Sequence, residues 1–282
     1  MRRPLPFLFL LLLVLPLAAA PRQRSVFRPP TAVALPLHLT FDFRNGSLGW
    51  EAGFADFSNG MDVRTTGEFR LLPPEIGSGT AWYLSGWNYS DDLFLFVRGR
   101  ASEADGIRAH QNYLARFRLT FGTNAGAECG GIGGAPGESV YIKLGLSAQR
   151  PEAVLADGFI AMNVDKGNQA QDGVHASTAG NISADRPLPC SNARYVTMVR
   201  EHSHDKAVAA STAGDLWFLA GIDSGFEGFN SIYVQKLEVT LTPVPANDPR
   251  ARWQATYAAM VSIVAHLERA GIELREVGRL PF

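Results

Sequence analysis

The sequence predicts an all-β fold: an antiparallel β-sandwich followed by a C-terminal amphipathic α-helix. Three observations predict it. Roughly ten short segments alternate apolar and polar residues with the period of two that turns one side of a strand toward a core. Between them, 28 glycines and 17 prolines punctuate the 282 residues. No repeated strand–helix alternation is present, as a parallel sheet would require. Hydrophobic residues make up 46% of the chain and charged residues 19%, a balance that excludes disorder, collagen and coiled coil. Lys and Arg (26) nearly match Asp and Glu (27), for a net charge of −1. No broad positive field therefore exists to recruit nucleic acid or an anionic membrane.

In chain order, residues 1–20 have the form of a signal peptide. Arg2 and Arg3 open it, Phe7 to Leu17 form the apolar run, and Ala18-Ala19-Ala20 form a small-residue exit. The run is too short for a comfortable membrane span, and nothing later is apolar enough to make one. No Cys follows the alanines to carry a lipid, while Pro21 leaves the cut unassigned and retention as an uncleaved anchor open. The expected location is secreted or periplasmic, in the cell envelope. Residues 21–36 read as a Pro-rich linker, 37–243 as the sandwich, 247–270 as the helix and 271–282 as a tail.

Strands are expected at 38–43, 68–72, 80–85, 93–98, 112–120, 138–147, 157–164, 194–200, 214–222 and 231–242. In 112–120, Tyr113, Ala115, Phe117 and Leu119 share one face and Arg116 and Arg118 the other. In 138–147, Val140, Ile142, Leu144 and Leu146 oppose Tyr141, Lys143 and Gly145. In 231–242, Ile232 and Val234 occupy one phase and Leu237, Val239 and Leu241 the other, which calls for a bulge near Gln235-Lys236. After Asn247 the period changes, with Trp253, Tyr257, Met260, Val264 and Leu267 on a helical stripe, Asp248 placed to cap it and Gly271 to end it. The stripe would dock on the sandwich, on a second copy, or on a protein partner. Cys129 and Cys190 form an even pair, expected to be a disulfide in an oxidising compartment, with two buried thiols as the alternative.

Several segments carry candidate chemistry. The Gly-rich run Cys129 to Glu138 leads into a strand rather than a helix, so it is not a phosphate cradle. The group Trp87-Asn88-Tyr89-Ser90-Asp91-Asp92 interleaves aromatic and polar residues too closely for all to be buried; its rings suit the apolar faces of sugars and its polar groups their hydroxyls. Trp50, Phe54, Phe57, Trp82 and Tyr83 are further aromatics, and core filling is the alternative for each. Asn163 to Gln169, with Asp165 and Asn168, and Asp223 to Gly228, with Asp223 and Glu227, offer hard oxygen ligands that would suit calcium. Ordinary turn chemistry explains them equally. No cofactor is assigned. Asp165 and Asp223 could meet across a loop end. His202 and His204, at i and i+2, would share a face for a metal if they lay on a strand, while a solvated polar turn is the expected setting. No nucleophile elbow or metalloprotease motif is present, and no catalytic residue is assigned. Any two of Asp91, Asp92, Glu138, Asp165, Asp223 and Glu227 could form the carboxyl pair of a glycosidase.

The stretch Phe41-Asp42-Phe43 through Gly49-Trp50-Glu51 to Phe57 resembles the opening of bacterial secreted jelly-roll modules of the carbohydrate-binding kind. The strings near Trp87, Gly131, Asp165 and Asp223 resemble those of a secreted bacterial β-sandwich family to which no activity is attached. The resemblance implies a jelly-roll sandwich and, by analogy of fold, binding of a glycan or another cell-surface ligand. Three readings stay open. The first is a secreted non-catalytic binding protein using the aromatic and acidic loops. The second is an envelope structural or interaction protein using the terminal helix, and the third is a polysaccharide hydrolase or lyase.

Overall fold

The computed structural model describes residues 35–89 and 92–254, and also 256, 257, 259, 260 and 263. Fourteen strands pair antiparallel: β1 (Leu37–Asp42), β2 (Glu51–Ala55), β3 (Phe57–Ser58), β4 (Thr66–Leu71), β5 (Thr80–Trp87), β6 (Leu93–Ala101), β7 (Asn112–Thr123), β8 (Val140–Ser147), β9 (Ala153–Ala156), β10 (Phe159–Met162), β11 (Ala176–Asn181), β12 (Val196–Ala209), β13 (Leu216–Ser224) and β14 (Phe229–Val244). One sheet runs β12-β7-β14-β5-β4, with β1 also on β14. The other runs β11-β8-β13-β6-β2, and β3-β10-β9 forms a small third sheet. Their inner faces share one core, in which Phe117, Leu119 and Phe121 of β7 and Leu237, Val239 and Leu241 of β14 are clustered with Leu93, Leu95 and Val97 of β6 and Phe218, Ala220 and Ile222 of β13. The expected jelly-roll β-sandwich is the fold observed.

The bulge lies where the apolar phase switches. The register of β14 against β7 shifts between Val234 and Lys236. Before the shift, Phe229–Val234 pair with Trp82–Trp87 of β5; after it, Lys236–Leu241 pair with Leu37–Asp42 of β1. One extra residue, Gln235, lets Ile232 and Val234 and then Leu237, Val239 and Leu241 all enter the core. Trp50 is also core, edge-on to Phe41 and Phe43. Its indole lies where a Cβ on Gly99 would stand, only 2.1 Å away, so glycine is the residue that lets β6 pass beneath it.

The structure corrects several expected elements. Of the strand expected at 157–164 only β10 forms, and it pairs with β9 in a hairpin turned by Asp157 and Gly158 at φ of 49° and 79°. Asp-Gly is the dipeptide that suits positive φ at both turn positions. β2, β3, β9 and β11 were not expected. The segment Glu201 to Asp205 is no polar turn but the middle of β12. Cys129 and Cys190 are bridged, with Cα atoms 5.6 Å apart. At the C-terminus a 3-10 turn, Pro249–Ala251, is capped by Asp248 through the Arg250 amide. Trp253 Nε1 then donates to the Ala207 carbonyl and Gln254 Nε2 to Asn112 Oδ1, so this segment docks on the sandwich. Helical backbone is described at Trp253, Gln254, Thr256, Tyr257, Ala259, Met260 and Ile263. A helix through 270 is not shown, and 264–282 lie outside the described residues, as do 1–34 with the signal segment and most of the linker.

Both faces of β8 and β13 are buried. The chain from Ala153 to His175 covers the outer face of their sheet: Ala153 and Met162 pack with Phe94, Phe96 and Leu219. The outer face of the other sheet carries Arg116, Arg118, Glu201 and Glu238 as ion pairs of 2.8–3.1 Å around a groove of about 290 Å³.

Candidate functional site

Trp87 ends β5, and its register partner on β14 is Phe229. Both have the phase opposite to the core residues Leu84 and Ile232, so their rings leave the sandwich on its outer side. Tyr89 follows two residues on. The Trp87 and Tyr89 rings lie 5.8 Å apart at 23°, and Trp87 and Phe229 lie 6.2 Å apart. Trp87 is 38%, Tyr89 44% and Phe229 50% exposed, so the Trp87 ring, with Tyr89 and Phe229 each against it, forms an open platform.

The residues between them hold the platform in place. Asn88 is buried, and its Nδ2 donates to the carbonyls of Ser224 (2.9 Å) and Phe226 (3.1 Å) while its backbone N–H donates to Gly228. The Ser224 hydroxyl donates to Asn230 Oδ1, and Asn230 Nδ2 donates to the Gly228 carbonyl. Asn88, expected to bind ligand, is instead the pin that ties the 88–92 loop to the 224–230 loop. Sequence reading found Trp87 and Tyr89 but missed Phe229, which only the strand register brings beside them. Asp91 lies outside the described residues.

A buried charge cluster lies at the end of the sheet that β13 crosses. Asp223 is fully buried. Its Oδ2 accepts from Lys166 Nζ at 2.6 Å and from the Gln169 amide at 2.8 Å, and Lys166 Nζ also reaches Asp56 Oδ2 at 2.7 Å. Asp92 completes a trio of carboxylates, one oxygen from each lying within 4.8 Å of the others. A hard divalent cation would accept such oxygens, yet the chain supplies its own cation, since the Lys166 ammonium contacts two of the three. Lys143, fully buried on β8, donates to the Gln171 carbonyl at 2.6 Å and to Thr178 Oγ1 at 2.9 Å. Two lysines thus staple the 165–172 loop to the sheet. Burial pushes Lys143 down to about 8, while the carboxylates around Lys166 hold its ammonium above the ordinary lysine range despite burial.

Asp92 and Asp223 do come together, whereas Asp165 does not join Asp223; it is Lys166 and Gln169 of that loop that do. Asp165 caps its own loop through the amides of Gly167 and Val174. Asn168 is exposed, and its carbonyl accepts from the Gln171 amide. The Glu227 amide donates to the Ile132 carbonyl, which ties in the Gly-rich run. Glu138 Oε1 accepts from the Glu128 amide. His202 and His204 do lie on a strand. His204 is buried, however, with Nδ1 at 2.6 Å from Ser177 Oγ and Nε2 at 3.1 Å from the Val174 carbonyl, which leaves neither ring nitrogen for a metal. Sequence reading missed Asp56 and Lys166, and placed Lys143 only on the polar side of its strand.

Asp92 is pushed up to about 8, first by burial and then by the charges of Asp223 and Asp56. The Oδ1 atoms of Asp92 and Asp223 are buried without a hydrogen-bond partner, and protonation of Asp92 removes one of the crowded buried charges. An acid whose folded pKa lies above its unfolded value, about 3.9, binds its proton more tightly when folded. Its contribution to stability is complete below about pH 4 and is lost as pH rises to about 8. His204, pushed down to about 4 chiefly by burial, acts oppositely, and stability is lost as pH falls from about 6.5 to 4. Urea unfolding is therefore expected to show stability declining from about pH 6.5 to 7.5 in the parent, below the range in which the lowered Lys143 acts oppositely, and a flatter profile in Asp92→Asn. An equal decline in the variant would assign the effect elsewhere.

No protein-family model and no curated protein matches the chain. Solved structures that match include a CBM22-1 xylan-binding domain from Paenibacillus barcinonensis, at 10% identity over 73% of this chain and 95% of that one, with a TM-score of 0.34. The mannan-recognising carbohydrate-binding module TmCBM27 is 15% identical over 73% of this chain and 98% of its own, with a TM-score of 0.32. TmCBM61, solved with β-1,4-galactotriose, is 9% identical over 70% and 92%, with a TM-score of 0.30. Superposition at this level is loose, and the functional case rests on this chain's own residues.

Proposed function

We propose that this protein is a secreted, non-catalytic binding protein that holds a glycan against the platform of Trp87, Tyr89 and Phe229. The observation that carries this reading is that the Trp87 ring packs against both Tyr89 and Phe229 while all three remain open to solvent. Sugars present apolar C–H faces that stack on such rings, and the buried amides of Asn88 and Asn230 fix the backbone beneath, so little ordering entropy opposes binding. Secretion is supported by the signal-like segment 1–20 and by the Cys129–Cys190 bridge. The non-catalytic part is supported by the acid cluster. Its carboxyl pair has one member with a raised pKa, as a glycosidase would need, but Asp223 is fully buried and bonded to Lys166 rather than set across an open cleft.

The test is calorimetric titration of residues 21–282 with a panel of oligosaccharides, beside Trp87→Ala. The variant is expected to lose about 10- to 30-fold in affinity, the effect of truncating a central aromatic contact, while melting with the parent because the ring is exposed. Equal binding by parent and variant, or no binding by the parent, would sink this reading.

A further inference from the structure

We propose that the cavity beside Phe229 receives the single terminal unit of a neutral glycan, so that the platform reads a chain end rather than a chain interior; this rests on the glycan-binding reading above. The cavity measures about 180 Å³, well below the roughly 300–1,000 Å³ of pockets that enclose a drug-sized molecule. That is room for one ring. Phe229, which touches Trp87, also walls the cavity, so platform and cavity are one surface and a glycan lying on the rings would place its next unit inside.

The lining carries no charged residue. A carboxylate or sulfate would find no cation there and an amine no anion, and burying an unpaired charge is costly. The polar groups offered are the amides of Asn124 and Asn192 and the hydroxyl of Ser191, of the kind that exchange hydrogen bonds with sugar hydroxyls, while the Ser231 hydroxyl is held by Tyr195 at 2.7 Å. Among the described residues, the side-chain amides of Asn124 and Asn192 make no hydrogen bond. The Cys129–Cys190 bridge forms part of the wall and ties the segments that carry Gly126 and Asn192 to each other, so the cavity is built in advance of the ligand.

The test compares linear neutral hexasaccharides of glucose, galactose, mannose and xylose with their long unbranched polymers at equal sugar mass, using the parent, Trp87→Ala and the cavity-filling Ala193→Trp. A chain-end reader is expected to bind a hexasaccharide at least about tenfold better than its polymer, and Ala193→Trp to lose that binding by about tenfold or more. If Ala193→Trp does not melt with the parent, Asn192→Ala replaces it with the same expected direction. Equal binding of hexasaccharide and polymer, abolished by Trp87→Ala but untouched by the cavity variants, would overturn this inference and leave the platform reading standing. Failure of every hexasaccharide and polymer to bind the parent would remove both.

Discussion

Replacing Lys166 with methionine is expected to lower the unfolding free energy by about 3–5 kcal/mol, the cost of leaving buried partners of an ion pair uncompensated. Lys166 is buried between Asp56 and Asp223, at 2.7 and 2.6 Å, and also stands 4.8 Å over the Phe94 ring. Methionine keeps much of the apolar stem and removes the charge together with the Nζ hydrogen bonds to Asp223 and the Gly167 carbonyl. Two carboxylates would then face each other and Asp92 with no cation between them, and the 165–172 loop would lose one of its two lysine staples. For a domain of this size the melting temperature is expected to fall by about 6–20 °C.

A second substitution separates charge from packing. Lys166→Met combined with Asp223→Asn and Asp56→Asn removes the stranded charges while keeping their shapes, and should recover a substantial part of the loss. Thermal and urea unfolding read both. If Lys166→Met melts within a degree or two of the parent, the cluster is not what holds the loop on the sheet. If the triple variant is no better than the single one, lost packing rather than stranded charge explains the effect.

What could be read from the sequence divides along the range of the interaction. The bulge at Gln235 was legible because two apolar phases in one strand can both be buried only by inserting a residue, an argument internal to that strand. The polar face of β7, with Arg116 and Arg118, was legible for the same reason. The β9–β10 turn was also within reach, since Asp157-Gly158 is a local hairpin signal, but those two residues were read as the start of a strand and the apolar run before them, Ala153–Ala156, was not read as one. β11 gave little signal because Ala176, Ser177 and Gly180 are small and show no apolar alternation; the close approach to β8 is carried by Gly145, where a Cβ would stand 2.3 Å from the His175 carbonyl. Trp87 and Tyr89 stood out from their own neighbours, whereas Phe229 joins them only through pairing with a distant strand. Lys143 was placed on the correct face, but nothing in alternation says that another segment will cover that face and bury the lysine. Asp56 and Lys166 acquire meaning only from each other and from Asp223, and no local pattern announces such a cluster.

Replacing Cys129 and Cys190 together by alanine is expected to cost about 4 kcal/mol of stability, and to weaken glycan binding beyond what that loss alone would cause. The bridge joins residues separated by 61 positions, and releasing a loop of that length returns about 4 kcal/mol of chain entropy to the unfolded state. The loop it closes contains β8, the β9–β10 hairpin, Lys166 and β11, nearly all of the cover over the outer face of one sheet. Locally the Gly-rich run keeps other ties: Ile132 bridges to Glu227, and the Ala135 amide donates to Ser139 Oγ at 3.1 Å. The 191–193 segment, which walls the cavity beside Phe229, would lose its covalent hold. Reduction of the parent should reproduce the stability loss of the double variant, which excludes an effect of the alanines themselves. Binding measured well below the melting temperature should then fall for hexasaccharides that use the cavity, with Trp87 and Tyr89 still stacked as before. Unchanged binding in a clearly destabilised variant would show that the bridge serves the fold and leaves the site alone.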